Sequence, residues 1–270
     1  MNLEFEANRI ESFSEFEQLR TKMQHVLDSR YLFEKSLASS EDSFVLEGTC
    51  GACVCPTTFT AVTAGGEETP SNQRVPNWRE TLRCGCSYHL PNRYRAVLHF
   101  LKAKTGLQKW MRVAIFGSSD LLASSVEAET GNCHYLPRLV RGLNDIGQPI
   151  LRLEDRDRAR HIVISLDYLH LVPMLRTALF EVLRILESGG RFIFTIPFHA
   201  HSELTSSFTT HLPRVEGLHP AEFGGAVHDI GWDILSMLRD VGFSRAAAYL
   251  YWSEELGYFG PYNFIFSATR

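Results

Sequence analysis

Five of the six cysteines lie between Cys50 and Cys86, and they stand in close pairs. Two residues separate Cys50 from Cys53, and one residue separates Cys84 from Cys86. Four thiolates brought together can form a tetrahedral zinc site, which closes a small module that has little core of its own. We therefore predict structural Zn2+ held by these four cysteines. A catalytic zinc is not expected, because an all-thiolate site leaves no open position for water or substrate.

The fourth ligand of this zinc site stays open. Cys55 and His89 are spare ligands, and the one-residue spacing of Cys84 and Cys86 strains the usual turn of a zinc knuckle. The alternative to a metal site is a group of reduced, partly buried thiols. Clustered cysteines also differ from a disulfide framework, which agrees with a cytoplasmic protein.

A second set of residues could accept protons. Histidine and carboxylate side chains act as general bases when they are placed beside a reacting group. The irregular segment from 205 to 228 is rich in histidine, and other candidates follow apolar runs. The candidates are Asp167, His170, His199, His219 and His228. For each histidine, the alternative is a surface or packing role.

The stretch from His161 to Phe198 positions several of these residues, because it is typical of one strand, helix, strand unit. An apolar run from Ile162 to Leu166 predicts a buried strand, and apolar residues at helical spacing from Met174 to Leu186 predict a helix. Ser188-Gly189-Gly190 should end that helix before a second strand that starts at Phe192. Strands joined in this way are parallel, and ligands bind at their carboxyl ends, where Asp167 lies.

Patterns in the rest of the chain predict further elements. A helix from Ser12 to about Ser29 should pack on a core or on a second copy of the chain, as a homodimer. Residues 44–91 are rich in Gly, Pro, Thr and Cys, which favours a small β-rich module. The segments are therefore 1–43 (helical), 44–91 (zinc-binding) and 92–270 (α/β). The predicted strands within the last segment are Met111–Phe116, Cys133–Leu136, Ile150–Leu153, Ala246–Trp252 and Asn263–Ala268.

Composition limits the classes of function. A chain of 270 residues with 44% hydrophobic content can bury a substantial core. The net charge of -4 is spread over mixed acids and bases, so nucleic acid is not an expected partner. No apolar run approaches the roughly 20 residues of a membrane span, and the acidic N-terminus lacks the features of a signal peptide. We therefore expect no membrane association and a cytoplasmic location.

Two stretches resemble a known family. SLDYLHLVP followed by ALFEVLRILESGGRFIFTIPF is similar to the fourth and fifth strands of class I S-adenosylmethionine-dependent methyltransferases. Cys50-x2-Cys53, then NWRETLRC and NRYRA, resemble the zinc-ribbon-like segment that precedes some bacterial members. Ser188 stands where proline is usual. The resemblance implies a seven-stranded Rossmann-like sheet with an antiparallel C-terminal hairpin, preceded by the helix and the zinc module.

The resemblance also implies a set of cofactor contacts for S-adenosylmethionine. Its amino-acid part should lie by Phe116, Gly117 and Ser118, its ribose by His134, its adenine by Asp155 and its methyl-bearing end by Asp167. The sequence departs from the family pattern at two places. The first strand is followed by a single glycine and lacks the acid that is usual there, and His134 stands where an acid usually holds the ribose hydroxyls.

Two functions are compatible with these residues. The first is methyl transfer to a small-molecule acceptor such as a metabolite, sugar or natural product. The alternative is a methyltransferase-like protein that has lost methyl transfer and acts as a binding subunit or catalyses other chemistry in the same pocket. The two missing acids favour the alternative, and cofactor binding would distinguish the two.

Overall fold

The structure is a computed structural model that describes residues 3–117, 120–136, 140–143, 149–172, 174–207 and 228–270. The chain divides into two compact units. The first unit contains Met1–Arg9, Ser14–Leu107 and Leu250–Asn263, and the second contains Ile10–Phe13, Gln108–Tyr249 and Phe264–Arg270. The two units therefore do not coincide with the three segments expected from composition, because part of the C-terminal hairpin belongs with the cysteine-rich module.

The N-terminal half of the chain supplies small strands and three helices. These elements are β1 (Asn8–Ile10), α1 (Phe13–Ser36), β2 (Ser43–Cys50), β3 (Cys55–Val62), β4 (Glu67–Glu68), β5 (Arg74–Val75), α2 (Trp78–Thr81), β6 (Arg83–Cys84) and α3 (Asn92–Phe100). A π-helical turn, Leu101–Thr105, continues α3. Strands β2, β3 and β6 form an antiparallel sheet, and β4 pairs with β5. The predicted β-rich module is thus present.

The remaining elements build the α/β part. They are β7 (Val113–Gly117), α4 (Asp120–Thr130), β8 (Cys133–Leu136), β9 (Val140–Leu143), β10 (Pro149–Arg152), β11 (Arg160–Leu166), a 3-10 turn (Leu169–Leu171), α5 (Leu175–Ile185), β12 (Leu186–Thr195), β13 (Ser206–Ser207), β14 (His228–Asp229), α6 (Ile234–Val241), β15 (Arg245–Ser253) and β16 (Tyr258–Thr269). The large sheet has the order β1-β15-β16-β12-β11-β7-β8.

Four neighbouring strands of this sheet, β12, β11, β7 and β8, are parallel, and β16 runs antiparallel to β12. Burial explains the sheet: Val113 to Phe116 and Ile162 to Leu166 are almost fully inaccessible. Stacked rings cross the strands, with Phe194 5.0 Å from Phe266 between ring centroids. Helix α5 packs against β12 and α6 through one apolar face. The predicted fold class, a seven-stranded α/β sheet with a C-terminal hairpin, is confirmed.

Two details of the sheet differ from the expectation. The predicted third strand corresponds to β10, but β10 pairs antiparallel with β9 in a separate two-stranded sheet. The seventh strand is β1, at the opposite edge. In addition, Ser188-Gly189-Gly190 lies inside β12 and not before it. The register shifts there, from Arg160 opposite Leu186 to Ile162 opposite Arg191, and Gly189 has a φ of 74°.

Helix α1 is longer than the predicted helix, since it continues to Ser36. Its buried residues are Phe16 and Glu34. The Glu34 carboxylate accepts hydrogen bonds from Trp252 Nε1 (2.7 Å) and from the amide of Gly260 (2.8 Å). Burial raises the pKa of this carboxyl, and the two hydrogen bonds oppose that effect. Polar contacts within the first unit therefore fix the end of the helix, and the homodimer stays a prediction.

Arg95 is the largest fully buried side chain of the first unit. Its guanidinium donates hydrogen bonds to the carbonyls of Leu256 (2.7 Å) and Gly257 (2.9 Å). It also stacks on Phe59, 4.2 Å from the ring centroid. A buried cation is tolerated only when it is paired in this way. Helix α3, strand β3 and the hairpin loop are thus held together by one side chain.

In the described part of the chain, no helix is both long and apolar enough to cross a bilayer.

We expect Arg95→Met to lower the free energy of unfolding by about 2–4 kcal/mol, because two buried carbonyls lose their donor. Urea denaturation monitored by circular dichroism would measure this change in the free energy of unfolding. Arg74→Met is the matched control in the same unit. Arg74 is 46% exposed in its pair with the exposed Glu68, so its loss should cost under about 1 kcal/mol. Equal effects of the two substitutions would contradict the role of Arg95.

Candidate functional site

Short turns bring four cysteines of the first unit together. Cys50 is the last residue of β2, and Cys84 is the last residue of β6. The turn between β2 and β3 carries Cys53, and the turn after β6 carries Cys86. The Sγ atoms of Cys50, Cys84 and Cys86 all lie within 4.8 Å of one another. Cys53 Sγ lies 2.9 Å from Cys86 Sγ, which completes a cluster of four sulfurs.

The geometry of this sulfur cluster fits a metal ion. Zinc–thiolate bonds of about 2.3 Å place tetrahedral sulfurs about 3.8 Å apart. The contacts of 2.8 Å (Cys84 to Cys86) and 2.9 Å (Cys53 to Cys86) are shorter, and the sulfurs of Cys50, Cys84 and Cys86 all lie within 4.8 Å of one another. Small side-chain shifts would therefore bring these three sulfurs to the spacing of zinc ligands, with Cys53 beside them. All six cysteines of the chain are free thiols.

Electrostatics within the cluster also favour a cation. Hydrogen bonds from the thiols of Cys53 and Cys84 lower the pKa of Cys50. The same proximity to a negative sulfur raises the pKa of Cys53, because a second thiolate would be repelled. Without a cation, the four adjacent sulfurs therefore cannot all be ionised. A divalent cation would remove this repulsion and allow all four to ionise.

The first knuckle is tightly enclosed. A Cβ at Gly51 would lie 2.4 Å from His99 Nδ1 and 2.7 Å from the Tyr258 hydroxyl, so only glycine fits there. His99 Nε2 donates to the carbonyl of Leu3 (2.9 Å), and its Nδ1 accepts from the Tyr258 hydroxyl (3.1 Å). Both ring nitrogens are therefore used, and burial lowers the pKa of His99. This histidine supports the knuckle and is not a metal ligand.

The two spare ligands differ in position. Cys55 faces Cys50 in the register of β2 and β3 and interacts with Cys53. His89 is exposed, has a φ of 46°, and donates its backbone amide to the carbonyl of Cys86. Within the described residues, the group whose ligand atoms all lie close enough to hold one metal is Cys50, Cys84 and Cys86. Cys53 joins this group through its contact with Cys86, and neither spare ligand belongs to it.

Among the described residues at the carboxyl ends of the parallel strands, Asp167 has a carboxylate held by a hydrogen bond. Asp167 follows β11 directly and adopts a φ of 46°. Its amide donates to the carbonyl of Thr195 (2.8 Å), and the Thr195 hydroxyl donates to Asp167 Oδ1 (2.9 Å). Gly117, the last residue of β7, lies opposite Leu166. Asp167 and Gly117 therefore share the edge where ligands bind in sheets of this type.

Of the three residues predicted to contact the amino-acid part of the cofactor, the structure describes Phe116 and Gly117. Phe116 is fully buried between Tyr168 and Phe192, with ring centroids 5.8 and 6.1 Å away. It is a core residue that supports the edge. Ser118 lies outside the described residues.

The predicted ribose and adenine contacts lie elsewhere. His134 is the second residue of β8, and its Nδ1 lies 2.7 Å from Arg160, the first residue of β11. Arg160 also donates to both carboxylate oxygens of Asp155, at 2.6 and 2.8 Å. His134 and Asp155 do meet, but towards the amino ends of the strands. Arg160 engages both side chains at this place, and their roles in cofactor binding stay predictions.

The candidate bases occupy different environments. His170 lies in the 3-10 turn after Asp167. His199 is 65% exposed and pairs with Asp229 at 3.0 Å. His228 is buried and bonds through both ring nitrogens, to Ser207 and to the carbonyl of Val172. His219 lies outside the described residues.

Three residues beside the candidate sites were not singled out from the sequence: Arg95, Arg160 and Ser207. Arg160 and Ser207 belong to no recognisable motif, because arginine and serine are common surface residues. Each becomes informative only through partners that are distant along the chain. The single available signal is that Arg95 lies in the NRYRA stretch of the resemblance.

No protein-family model and no curated protein matches this sequence. Among solved structures, the chain is similar to S-adenosylmethionine-dependent methyltransferases from three organisms. The protein from Archaeoglobus fulgidus is 12% identical, with a TM-score of 0.39 over 66% of this chain and 94% of that one. The Mesorhizobium loti protein is 17% identical, with a TM-score of 0.38 over 62% of this chain and 95% of that one. The Thermotoga maritima protein is 14% identical, with a TM-score of 0.36 over 63% of this chain and 86% of that one. TM-scores below 0.5 do not establish a shared fold, so the fold is assigned here from the strand order.

Asp155→Asn should lower the free energy of unfolding by about 2 kcal/mol at pH 7. Burial alone raises the pKa of Asp155, but the hydrogen bonds and charge of Arg160 outweigh burial and hold it below the ordinary value. Stability from this carboxylate is therefore present above its unfolded pKa of about 4 and is lost as the pH falls through the lower folded value. The difference between wild type and variant should shrink below about pH 4.

Urea denaturation between pH 3 and pH 7 would measure this difference. Asp157→Asn is the control, because Asp157 is 75% exposed in its pair with Arg184 and should cost under about 1 kcal/mol. A difference that stays constant over the whole pH range would contradict the ion-pair explanation.

Proposed function

We propose that the second unit binds S-adenosylmethionine and catalyses methyl transfer to a small metabolite, sugar or natural-product acceptor. The observation that supports this most directly is the edge formed by β7 and β11. These parallel neighbours end side by side at Gly117 and Leu166, and Asp167 follows at once. The order of the strands and the C-terminal hairpin agree with the fold that the sequence resemblance implies.

Asp167 is the residue on which this proposal depends. Thr195 holds its carboxylate in place, so Asp167 presents a negative charge at a fixed position on the edge. When bound, the cofactor supplies an electrophilic methyl group on a positively charged sulfur. A fixed carboxylate would stabilise positive charge nearby or accept a proton from the acceptor. Either role needs the charge and not merely the shape of the side chain.

A second candidate function is favoured by the contacts of Arg160. This guanidinium engages Nδ1 of His134 and both carboxylate oxygens of Asp155, which leaves less of these side chains to hold the ribose and the adenine. A protein with this fold and without those contacts could bind another ligand or act as a binding subunit. The two candidates differ in one measurable property, which is affinity for the cofactor.

Isothermal titration with S-adenosylmethionine and S-adenosylhomocysteine should give saturable binding to the full chain. Asp167→Asn should weaken that binding about tenfold, or about 1.4 kcal/mol, because the fixed charge is lost. Asp240→Asn is the control, because Asp240 is 58% exposed on α6 in a pair with Arg176. It should leave binding unchanged.

An absence of heat at high micromolar cofactor would exclude methyl transfer and favour the second candidate. Binding that is equal in wild type and in Asp167→Asn would retain the cofactor but remove Asp167 from its site.

We further propose that the first unit binds one structural zinc ion through Cys50, Cys53, Cys84 and Cys86. The support is the sulfur cluster itself. Strands β2 and β3 also bury Cys50, Phe59 and Ala61, so the module has some core besides the cysteines. Metal ligation would then add to the folding free energy of this module.

Protein purified without added metal should contain about one zinc ion per chain by atomic absorption. Cys84→Ser should lose the ion and lower the thermal midpoint, because serine is a poor zinc ligand. Cys55→Ser should keep the ion. A folded, zinc-free wild-type protein would contradict the proposal, and loss of zinc in Cys55→Ser would reassign the ligand set.

A further inference from the structure

A cavity of about 400 Å³ lies at the start of helix α5 in the second unit. Its volume falls in the range of small-molecule sites. Apolar side chains form part of the wall, and hydroxyl and imidazole groups form the rest. The lining includes Met174, Leu175, Thr177, Ser207, His228 and Met237. The methyl-transfer proposal assigns no role to this cavity.

Two of the polar lining residues form a hydrogen-bonded pair. Ser207 and His228 lie directly opposite each other on the antiparallel strands β13 and β14. The Ser207 Oγ lies 2.8 Å from His228 Nδ1, and His228 Nε2 lies 2.9 Å from the carbonyl oxygen of Val172. A carbonyl can only accept, so Nε2 carries the ring proton. Nδ1 is therefore the acceptor, and the Ser207 hydroxyl donates to it.

This arrangement meets the geometric requirements of an activated nucleophile. A hydroxyl is bonded to a base, and a third group, the Val172 carbonyl, orients the base and fixes its tautomer. His228 is only 8% exposed, so the imidazole is held rigidly. Ser207 is exposed and lines the cavity, so its oxygen is accessible to a ligand.

The first turn of α5 supplies donors for an oxyanion. Helix α5 starts at Leu175, and its N-cap residue Met174 makes no side-chain capping bond. The first amide groups of a helix have no acceptor within the helix and favour negative charge. Leu175, Arg176 and Thr177 belong to this turn and line the same cavity as Ser207. Ser207, His228 and the first turn of α5 thus line one space.

We propose that Ser207 is a nucleophile activated by His228 and that this cavity cleaves esters of short acyl chains. Ser207 Oγ attacks the ester carbonyl carbon while its proton moves to His228 Nδ1. The carbon–oxygen bond to the alcohol then breaks, and Nδ1 returns the proton to the leaving alcohol. Water attacks the acyl-serine by the same route and releases the carboxylic acid, so no other reactant is needed.

The residues that line the cavity limit the class of acyl group that it could bind. Met174, Leu175 and Met237 offer apolar surface for a short hydrocarbon chain. Arg176 is paired with Asp240 at 3.3 Å, so the cavity has no strong bias for an anionic acyl group. A neutral acetyl or butyryl ester is the chemistry that this lining would accept.

The test uses the full chain and two probes. A fluorophosphonate should label Ser207, as mapped by mass spectrometry of the digested protein, and 4-nitrophenyl acetate should release 4-nitrophenolate with an initial burst. His228→Gln should slow labelling by about a hundredfold or more, because the base is lost. Ser206→Ala is the matched control. Ser206 is the preceding residue of β13, opposite Asp229, and its loss should leave the rate unchanged.

Two results would overturn the proposal. One is a folded wild-type protein that is not labelled at Ser207 in excess of other serines. The other is equal labelling of Ser207 in wild type and in His228→Gln. Neither probe requires S-adenosylmethionine, so failure here is independent of failure of the methyl-transfer proposal. The labelling of the wild-type chain decides the question even where a variant does not fold.

Discussion

The burial of the Arg95 guanidinium is the constraint on which the first unit depends. A cation without water must be surrounded by acceptors and aromatic faces. Here the acceptors are the carbonyls of Leu256 and Gly257, and the face is Phe59. Arg95 also lies close enough to Cys50 to lower the pKa of that thiol. The positive charge and the sulfur cluster therefore support each other, and the hairpin loop must fold where the arginine finds its acceptors.

In the second unit, the carboxylates at the two ends of the parallel strands have different partners. Towards the amino ends, Arg160 neutralises Asp155 and bonds His134, which makes a compact structural cluster. At the carboxyl ends, the Thr195 hydroxyl donates a hydrogen bond to the Asp167 carboxylate. The first cluster is an ion pair within the fold, and the second edge carries the carboxylate on which the methyl-transfer proposal depends. Carboxylates at both ends look alike in a sequence, and only their partners distinguish them.

The histidines illustrate the same dependence on partners. His99 uses both ring nitrogens to support the cysteine knuckle, whereas His199 is mostly exposed and pairs with Asp229. His228 also uses both nitrogens, but one of its partners is the exposed Ser207. The hydrogen-bond partner at each nitrogen thus distinguishes a histidine enclosed by packing from one that lies beside a cavity. Residue type alone would treat the three as equivalent candidates.

The sequence by itself determined the features that depend on local patterns. Buried runs such as Ile162 to Leu166 specified strands, helical spacing specified α5, and paired cysteines pointed to the sulfur cluster. Tertiary structure alone decided the pairing of β10 with β9, the place of β1 in the sheet and the side on which His134 and Asp155 lie. The physical reason is that strand pairing and ion pairing depend on partners far apart in the chain. A local pattern fixes what an element is, whereas packing fixes which neighbour it meets.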